Sequence, residues 1–250
     1  MFPSVFEVLL QNAAIYDSSC SPEARVYFID RDDGYYLKKA PKGSLQREAE
    51  LTRYFHQKGL ATEILCYLSE DCDWLLSHRM RGEDCTDRMY LDEPKRLCDT
   101  IATRLRALHE MDFSDCPIGD HTTRYLGVAK ENYKAGLFDP SFASENFGDL
   151  SAKDAWTFLE SHCHLLKQDT LLHGDYCLPN IMLDHWNFSG FIDLGNGGVG
   201  DRHVDLFWGA WTLRFNLGTD AFRERFFDAY GRDRIDAEML SIVAVAECFG

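Results

Sequence analysis

LLHGDYCLPNIMLDHWNFSGFIDLG, residues 171–195, holds two carboxylates that interrupt apolar segments, Asp175 and Asp193, and places Asn180 five residues after the first. A buried carboxylate is costly unless it is paired or holds a cation. Two acids and an amide at the edges of segments that favour burial therefore point to a site. The stretch reads as a short hairpin with its turn at residues 183–187 and FSGFIDLG, residues 188–195, as the return strand. Asp193 follows Phe191 and Ile192, where a strand leaves the core, and a short hairpin can aim an acid at each end into one cleft. An Asp and an Asn oxygen together suit Mg²⁺, a hard ion that keeps several waters and shares phosphate oxygens.

The Asp175–Asn180 spacing is that of the protein-kinase catalytic loop, in which the Asp orients the attacking hydroxyl and the Asn binds metal. The N-terminal third supplies further parts in kinase order. Lys38 lies on a strand-like segment and Glu48 lies ten residues later on a helical one. Such a Lys contacts the α/β-phosphates and is held by the helix Glu. DSSCSPEARVY, residues 17–27, could cover phosphates with backbone N–H groups and hydroxyls, though it is not a glycine-rich loop.

Around these residues, 24–30 and 34–40 alternate apolar and polar about the turn signal RDDG, which predicts a hairpin. Residues 44–59 have helical spacing, with Leu45, Leu51, Tyr54 and Phe55 on one face and Gly59 as the stop. EILCYLSE and DWLLSHRM read as strands, and residues 92–113 and 152–166 as amphipathic helices. Everything from DRHVDLFWGAWTL onward reads as helix. A strand-rich first third and a helical remainder with one embedded hairpin predict an α+β chain in two lobes, 1–78 and 79–250.

The 250 residues are 45% hydrophobic and 13% aromatic, enough for a sizeable core. Forty-one acids against 26 bases give a net charge of −15, which disfavours nucleic acid and anionic membranes and attracts cations. Nine cysteines, with no C-x-x-C pair, read as reduced, mostly buried residues of a reducing compartment. The first twelve residues lack a basic leader, and MLSIVAVA is too short to span a bilayer, so the chain is expected to be cytoplasmic.

HGDYCLPNIMLD, FSGFIDLG, DRHVDL and MDFSDCP together resemble the aminoglycoside 3′-phosphotransferases, the kanamycin kinase family. The likeness runs from CSPEARVY to AECF. It implies a two-lobed, protein-kinase-like fold, with an antiparallel sheet plus helix in a nucleotide-binding N-lobe. The C-lobe would be mainly helical, carry the catalytic hairpin and bind the aminoglycoside. It implies transfer of the γ-phosphate of ATP, or GTP, to a drug 3′-hydroxyl, with Mg²⁺, by a monomer or weak dimer. Asp175 would be the catalytic base, Asn180 and Asp193 metal ligands, and Lys38 and Glu48 the phosphate-side ion pair. Ser21 would sit in the phosphate-covering loop, Tyr36 against adenine, and His78 and Met80 in the hinge at the adenine edge. Glu145, Glu247 and Phe249 would join Asp175 at the polycationic acceptor.

Two departures stand out. Asn196 replaces the family's usual Arg, and Phe215–Asn216 its acidic pair. They keep two rivals in view: a kinase of another small alcohol such as choline or a sugar, and a nucleotide-binding protein without turnover. Bland readings suit other residues. His173 is read as a structural residue behind the loop and Cys177 as no nucleophile. His162 and His164 are not read as a metal pair, since i and i+2 do not share a helix face. Phe207, Trp208 and Trp211 are read as helix core.

Overall fold

The computed structural model describes residues 2–20, 22 and 24–250, with the side chains of Glu145 and Asn146 excepted. Two expected site groups, Ser21 and the Glu145 side chain, lie outside the described residues. In chain order the first elements are α1 (Glu7–Leu10), β1 (Ala14–Asp17), β2 (Arg25–Asp30), β3 (Tyr35–Pro41), α2 (Gln46–Gln57), β4 (Ile64–Ser69) and β5 (Cys72–His78). Next come β6 (Glu83–Asp84), α3 (Arg88–Leu91), α4 (Pro94–His109), α5 (His121–Ala135), α6 (Ser144–Phe147), α7 (Ala152–His162) and β7 (Thr170–Leu172). The chain ends with β8 (Ile181–Asp184), β9 (Asn187–Phe191), β10 (Gly198–Gly200), α8 (His203–Leu217), α9 (Arg223–Tyr230) and α10 (Ala237–Glu247). Packing divides it into two compact units, Met1–Gly82 with Met182–Gly195, and Glu83–Ile181 with Asn196–Gly250.

The first unit is built on an antiparallel sheet of order β1-β2-β3-β5-β4. The RDDG hairpin forms as expected, with Asp32 and Gly34 both at positive φ. Asp tolerates that region and Gly adopts it freely. Strand β1 is a correction to the sequence reading. All four of its residues are exposed, so no alternation marked it. Helix α2 buries Leu51, Tyr54 and Phe55 as its spacing predicts. Its start is pinned by Asp73, a buried acid whose Oδ2 accepts the Leu45 N–H at 2.9 Å. Residues 182–195 join this unit through short contacts. The Phe191 N–H donates to the Leu60 carbonyl at 2.7 Å, and its ring packs on Phe55. The β8–β9 turn puts His185 and Trp186 at φ 48° and 70°, the two positive angles of a tight hairpin turn.

The second unit buries the apolar faces of α7 and α10, with Leu159, Ile242, Val243 and Val245 at its centre. The run MLSIVAVA is therefore a core helix. Among the described residues no helix is long and apolar enough to cross a membrane. Strand β7 pairs antiparallel with β10, Leu171 opposite Val199. MDFSDCP forms a turn beside this pair, where the Ile118 carbonyl accepts the Val199 N–H at 2.8 Å. Two composition readings need correction. The nine cysteines are free, but only Cys85, Cys98 and Cys248 are buried. Phe207, Trp208 and Trp211 are half-buried, with Phe207 and Trp208 packed against the edge of the second unit's core.

Candidate active site

In the first unit, Lys38 stands mid-strand on β3, opposite Val26 and Leu75. Its Nζ donates to Glu48 Oε2 at 2.8 Å and to Asp193 Oδ1 at 3.0 Å. Burial works to lower the Lys38 pKa, but the two carboxylates outweigh it and hold the ammonium above the ordinary lysine value. A fixed cation in a partly dry setting is suited to phosphate oxygens. Asp193 sits at φ 57°, a left-handed backbone that few side chains adopt. Its side chain remains 53% exposed and so is open to a ligand. Lys38 and Glu48, ten residues apart, are thus joined by Asp193, 155 residues further along the chain than Lys38.

The nucleotide-side candidates divide. Tyr36 is half-buried, its ring 5.3 Å from that of Phe28. His78 and Met80 line a cavity of about 460 Å³, together with Asp33, Arg79, Arg81 and Asp184. Ahead of β2, the Ser19 hydroxyl accepts the Val26 N–H at 3.0 Å and shapes the start of the expected phosphate loop.

In the second unit, the loop after β7 carries Asp175. Gly174 lies at φ 85°, and a side chain there would run into the Asn196 carbonyl. Only glycine meets both demands. The Asn180 amide nitrogen donates to the Asp175 carbonyl at 3.0 Å and to its carboxylate Oδ2 at 2.9 Å. That commits the Asn180 NH₂ and turns its carboxamide oxygen the other way. The Asp175 N–H donates to His173 Nδ1 at 3.3 Å, and His173 is fully buried, so it supports the loop as expected. Burial pushes the Cys177 thiol up, and Asp175 pushes it further, which leaves it no thiolate.

The sequence reading missed what holds this loop in place. Asp205, on α8 and fully buried, accepts the His173 N–H on Oδ2 and the Gly174 N–H on Oδ1, both at 2.8 Å. His109 Nε2 donates to the same carboxylate at 3.1 Å, and the Tyr230 hydroxyl donates to His109 Nδ1 at 2.8 Å. Burial keeps His109 neutral, its pKa below the usual value, which fits this donor and acceptor pattern. Burial alone would raise Asp205, but the His109 hydrogen bond and the Gly174 N–H hold it below the ordinary carboxylate range. Asp201 does similar work at the start of α8, accepting the Lys167 N–H at 2.7 Å and His203 Nδ1 at 2.6 Å. The signal was present as two acids four residues apart in DRHVDL, Asp201 just ahead of α8 and Asp205 in its first turn.

The acceptor-side candidates are more buried than their expected role suggests. Glu247 is 5% exposed and its Oε1 accepts the Tyr125 hydroxyl at 2.9 Å and the Trp208 N–H at 3.1 Å. Phe249 is 1% exposed, packed between Tyr133, Phe138 and Trp156. Asn216 turns inward and donates to the Thr212 carbonyl at 2.8 Å. Burial lifts the Glu247 pKa to about 7, against the two hydrogen bonds that lower it. A raised acid favours the protonated fold, so its stability term is best below about pH 4.5 and declines as pH rises to about 7. Glu247→Gln keeps the accepting oxygen. It is expected to remove that slope and to be roughly 3 kcal/mol more stable than the parent at pH 8, with little difference at pH 5, in urea melts at the two pH values.

Among the described residues no group of three His, Cys, Asp or Glu side chains could hold a metal ion. Asp193 in the first unit and Asn180 in the second each carry a hard oxygen, the type of donor that Mg²⁺ takes together with water and phosphate.

A family model described as the phosphotransferase enzyme family matches residues 22–240. The chain is 53% identical, over its full length and 95% of the relative, to a Lactococcus lactis protein named "Probable aminoglycoside 3′-phosphotransferase". It is 30% identical, over 81% of the chain and 79% of the relative, to the aminoglycoside 3′-phosphotransferase of Niallia circulans. Among solved structures it resembles a type VIII aminoglycoside-3′-phosphotransferase, with TM-score 0.78 and 22% identity over 98% of this chain and 97% of that one. It also resembles a Streptomyces rimosus aminoglycoside phosphotransferase in complex with ADP and streptomycin, with TM-score 0.78 and 20% identity over 98% and 95% of the two chains. These structures show the fold, the α+β protein-kinase-like architecture. With a match across nearly nine-tenths of its residues and a relative at 53% identity over its whole length, the chain belongs to the phosphotransferase enzyme family, among the aminoglycoside 3′-phosphotransferases.

Proposed function

We propose that this chain transfers the γ-phosphate of ATP to the 3′-hydroxyl of an aminoglycoside, with GTP as the alternative donor. The observation that carries the reading is Lys38 Nζ held between the Glu48 and Asp193 carboxylates at 2.8 and 3.0 Å. Phosphoryl transfer passes through a loose transition state, so positioning and charge neutralisation supply most of the rate. Lys38 supplies fixed positive charge to the α/β-phosphates, and Glu48 holds it. Asp175 orients the acceptor hydroxyl and takes its proton late, since a carboxylate is too weak a base to ionise a free alcohol. Asn180 fixes the Asp175 carboxylate from one side, which leaves its other oxygen for the acceptor. Asp193 and Asn180 are the residues that would hold Mg²⁺, which when bound neutralises developing charge on the phosphate oxygens.

In this reading the N-terminal 1–78 region handles the nucleotide, with Tyr36, His78 and Met80 at the base and Ser21 at the phosphates. The 79–250 region handles the acceptor through Asp175, Glu145, Glu247 and Phe249. The −15 charge draws in a polycationic sugar over about a Debye length, roughly 8 Å in physiological salt. The protein would work in the cytoplasm as a monomer or weak dimer. Phe215, 69% exposed where the family has an acid, favours one second reading, a kinase of a less charged alcohol. Coupled ADP release across kanamycin, neomycin, choline and simple sugars separates the two. Turnover with a 2-deoxystreptamine drug is expected, and its complete absence sinks the first reading.

Lys38→Ala removes charge-assisted hydrogen bonds that are typically worth about 1.5–3 kcal/mol. The nucleotide KM is expected to rise roughly 10- to 100-fold in the same assay, with a smaller change in acceptor KM.

A further inference from the structure

Gly190 lies inside β9, and a glycine within a strand marks a place where another part of the chain comes close. Here it is the tip of the Met80 side chain. A β-carbon added at Gly190 would run into Met80 Cε, and would lie 3.0 Å from Met80 Sδ and 3.1 Å from the Leu60 carbonyl oxygen. The Met80 thioether thus occupies the space that any other residue at 190 would fill. Methionine suits such a gap because it is long, unbranched and polarizable. Both residues belong to the first unit. The segment that carries Met80 begins at the end of β5, where the His78 N–H donates to the Glu63 carbonyl at 3.2 Å and the Arg79 N–H to the Gly34 carbonyl at 2.9 Å. At its far end Gly82 lies so close to β8 that a β-carbon there would run into the Leu183 carbonyl.

Strand β9 is held too firmly to give way to a larger residue at 190. The Phe191 N–H, next along it, donates to the Leu60 carbonyl at 2.7 Å. The Phe191 ring packs 4.7 Å from Phe188 and 6.3 Å from Phe55. Asp193, a few residues on, accepts from Lys38 Nζ at 3.0 Å. Met80 is half-buried and its clashing atoms end a flexible side chain, so Met80 is the partner that moves. Residues 78–82 then lose their seat on the hairpin. We propose that Gly190 is a positioning residue for the nucleotide: it seats the Met80 side chain and so fixes residues 78–82 against the hairpin that carries Asp193. This rests on the reading of His78 and Met80 as the base-side residues.

The test measures coupled ADP release in the parent, Gly190→Ala, Gly82→Ala, Met80→Ala and Gly190→Ala/Met80→Ala, each checked by thermal melt. A bound group misplaced by about 1 Å can cost up to about 10²-fold, so Gly190→Ala should raise the nucleotide KM about tenfold and leave kcat within about threefold. In the Met80→Ala background the same change should alter that KM less than about twofold, because the displaced atoms are gone and the Leu60 contact cancels. A parent-like KM in folded Gly190→Ala, or an equal rise in both backgrounds, overturns the proposal. So does a fall in kcat at unchanged KM, which would mean that β9 and Asp193 had moved instead. Gly82→Ala displaces the same segment without Met80. If it raises the nucleotide KM while Gly190→Ala does not, the base-side reading stands and only the seat is lost; if neither does, that reading falls too. Should Gly190→Ala fail to fold, the parent labelled with methyl-¹³C methionine decides. Its Met80 methyl, assigned through Met80→Ala, should show a cross-peak to the Gly190 α-protons and should shift at ADP saturation followed by calorimetry. The lack of either overturns the proposal.

Discussion

Asp175→Asn is expected to lower kcat by about 10²- to 10⁴-fold, the usual contribution of a positioned general base. Nucleotide affinity by calorimetry should stay close to that of the parent. The two readouts separate because the substitution removes a proton acceptor without moving the loop. Asn180 donates to the Asp175 main-chain carbonyl as well as to its side chain, and Asp205 holds His173 and Gly174 by their backbone N–H groups. An asparagine at 175 retains an oxygen for the Asn180 amide. Undiminished kcat in this variant would remove Asp175 from the reaction, and with it the reading of the loop as catalytic. The same variant is the control for a resistance test in a susceptible bacterium, where it should lose the protection the parent confers.

The second large effect concerns a residue that touches no substrate. Asp205→Ala strips two buried backbone N–H groups and the His109 N–H of their acceptor. Each buried orphan costs about 1–3 kcal/mol, and removing one member of a buried charged network costs about 3–5 kcal/mol in all. That is a large part of a total stability of about 5–15 kcal/mol, and in a chain of this size it lowers Tm by roughly 6–20 °C. Activity measured well below the melting range should still fall, because a loop freed at His173 and Gly174 no longer fixes Asp175. Full activity in folded Asp205→Ala would show that the anchor serves stability alone. The acid limb follows from the same group. Its pKa is depressed in the fold, so its contribution is present above the ordinary carboxylate value, about 3.9, and is lost as pH falls below it. Glu247 has the opposite slope at higher pH, so stability is bounded on both sides.

Much of the chemistry was legible because it is local. Asp175 and Asn180 are five residues apart and meet within one loop. The strand carrying Lys38 and the helix carrying Glu48 are adjacent in sequence, so their spacing alone forecasts an ion pair. The RDDG hairpin and the buried face of α2 followed from periods of two and 3.6 residues, which need no partner to be visible. The features that were not legible share a different cause. Strand β1 is exposed on every residue, and β10 is Gly-Val-Gly, so neither shows alternation. Asp205 and His109 are 96 residues apart and look like ordinary helix residues until α4 and α8 are packed.

By itself, then, the sequence determined the types of its periodic elements, the order of Lys, Glu, Asp, Asn and Asp along the chain, and the acidic charge, since each depends on neighbours or on simple sums. Tertiary structure decided that residues 182–195 pack with the N-terminal sheet and bring Asp193 to within 3.0 Å of Lys38. It also decided that Glu247 and Phe249 are enclosed and Phe215 is not, and that a buried aspartate on α8 anchors the Asp175 loop. Burial and long-range hydrogen bonding depend on which surfaces the folded chain brings together, and no window of sequence contains both sides of such a contact.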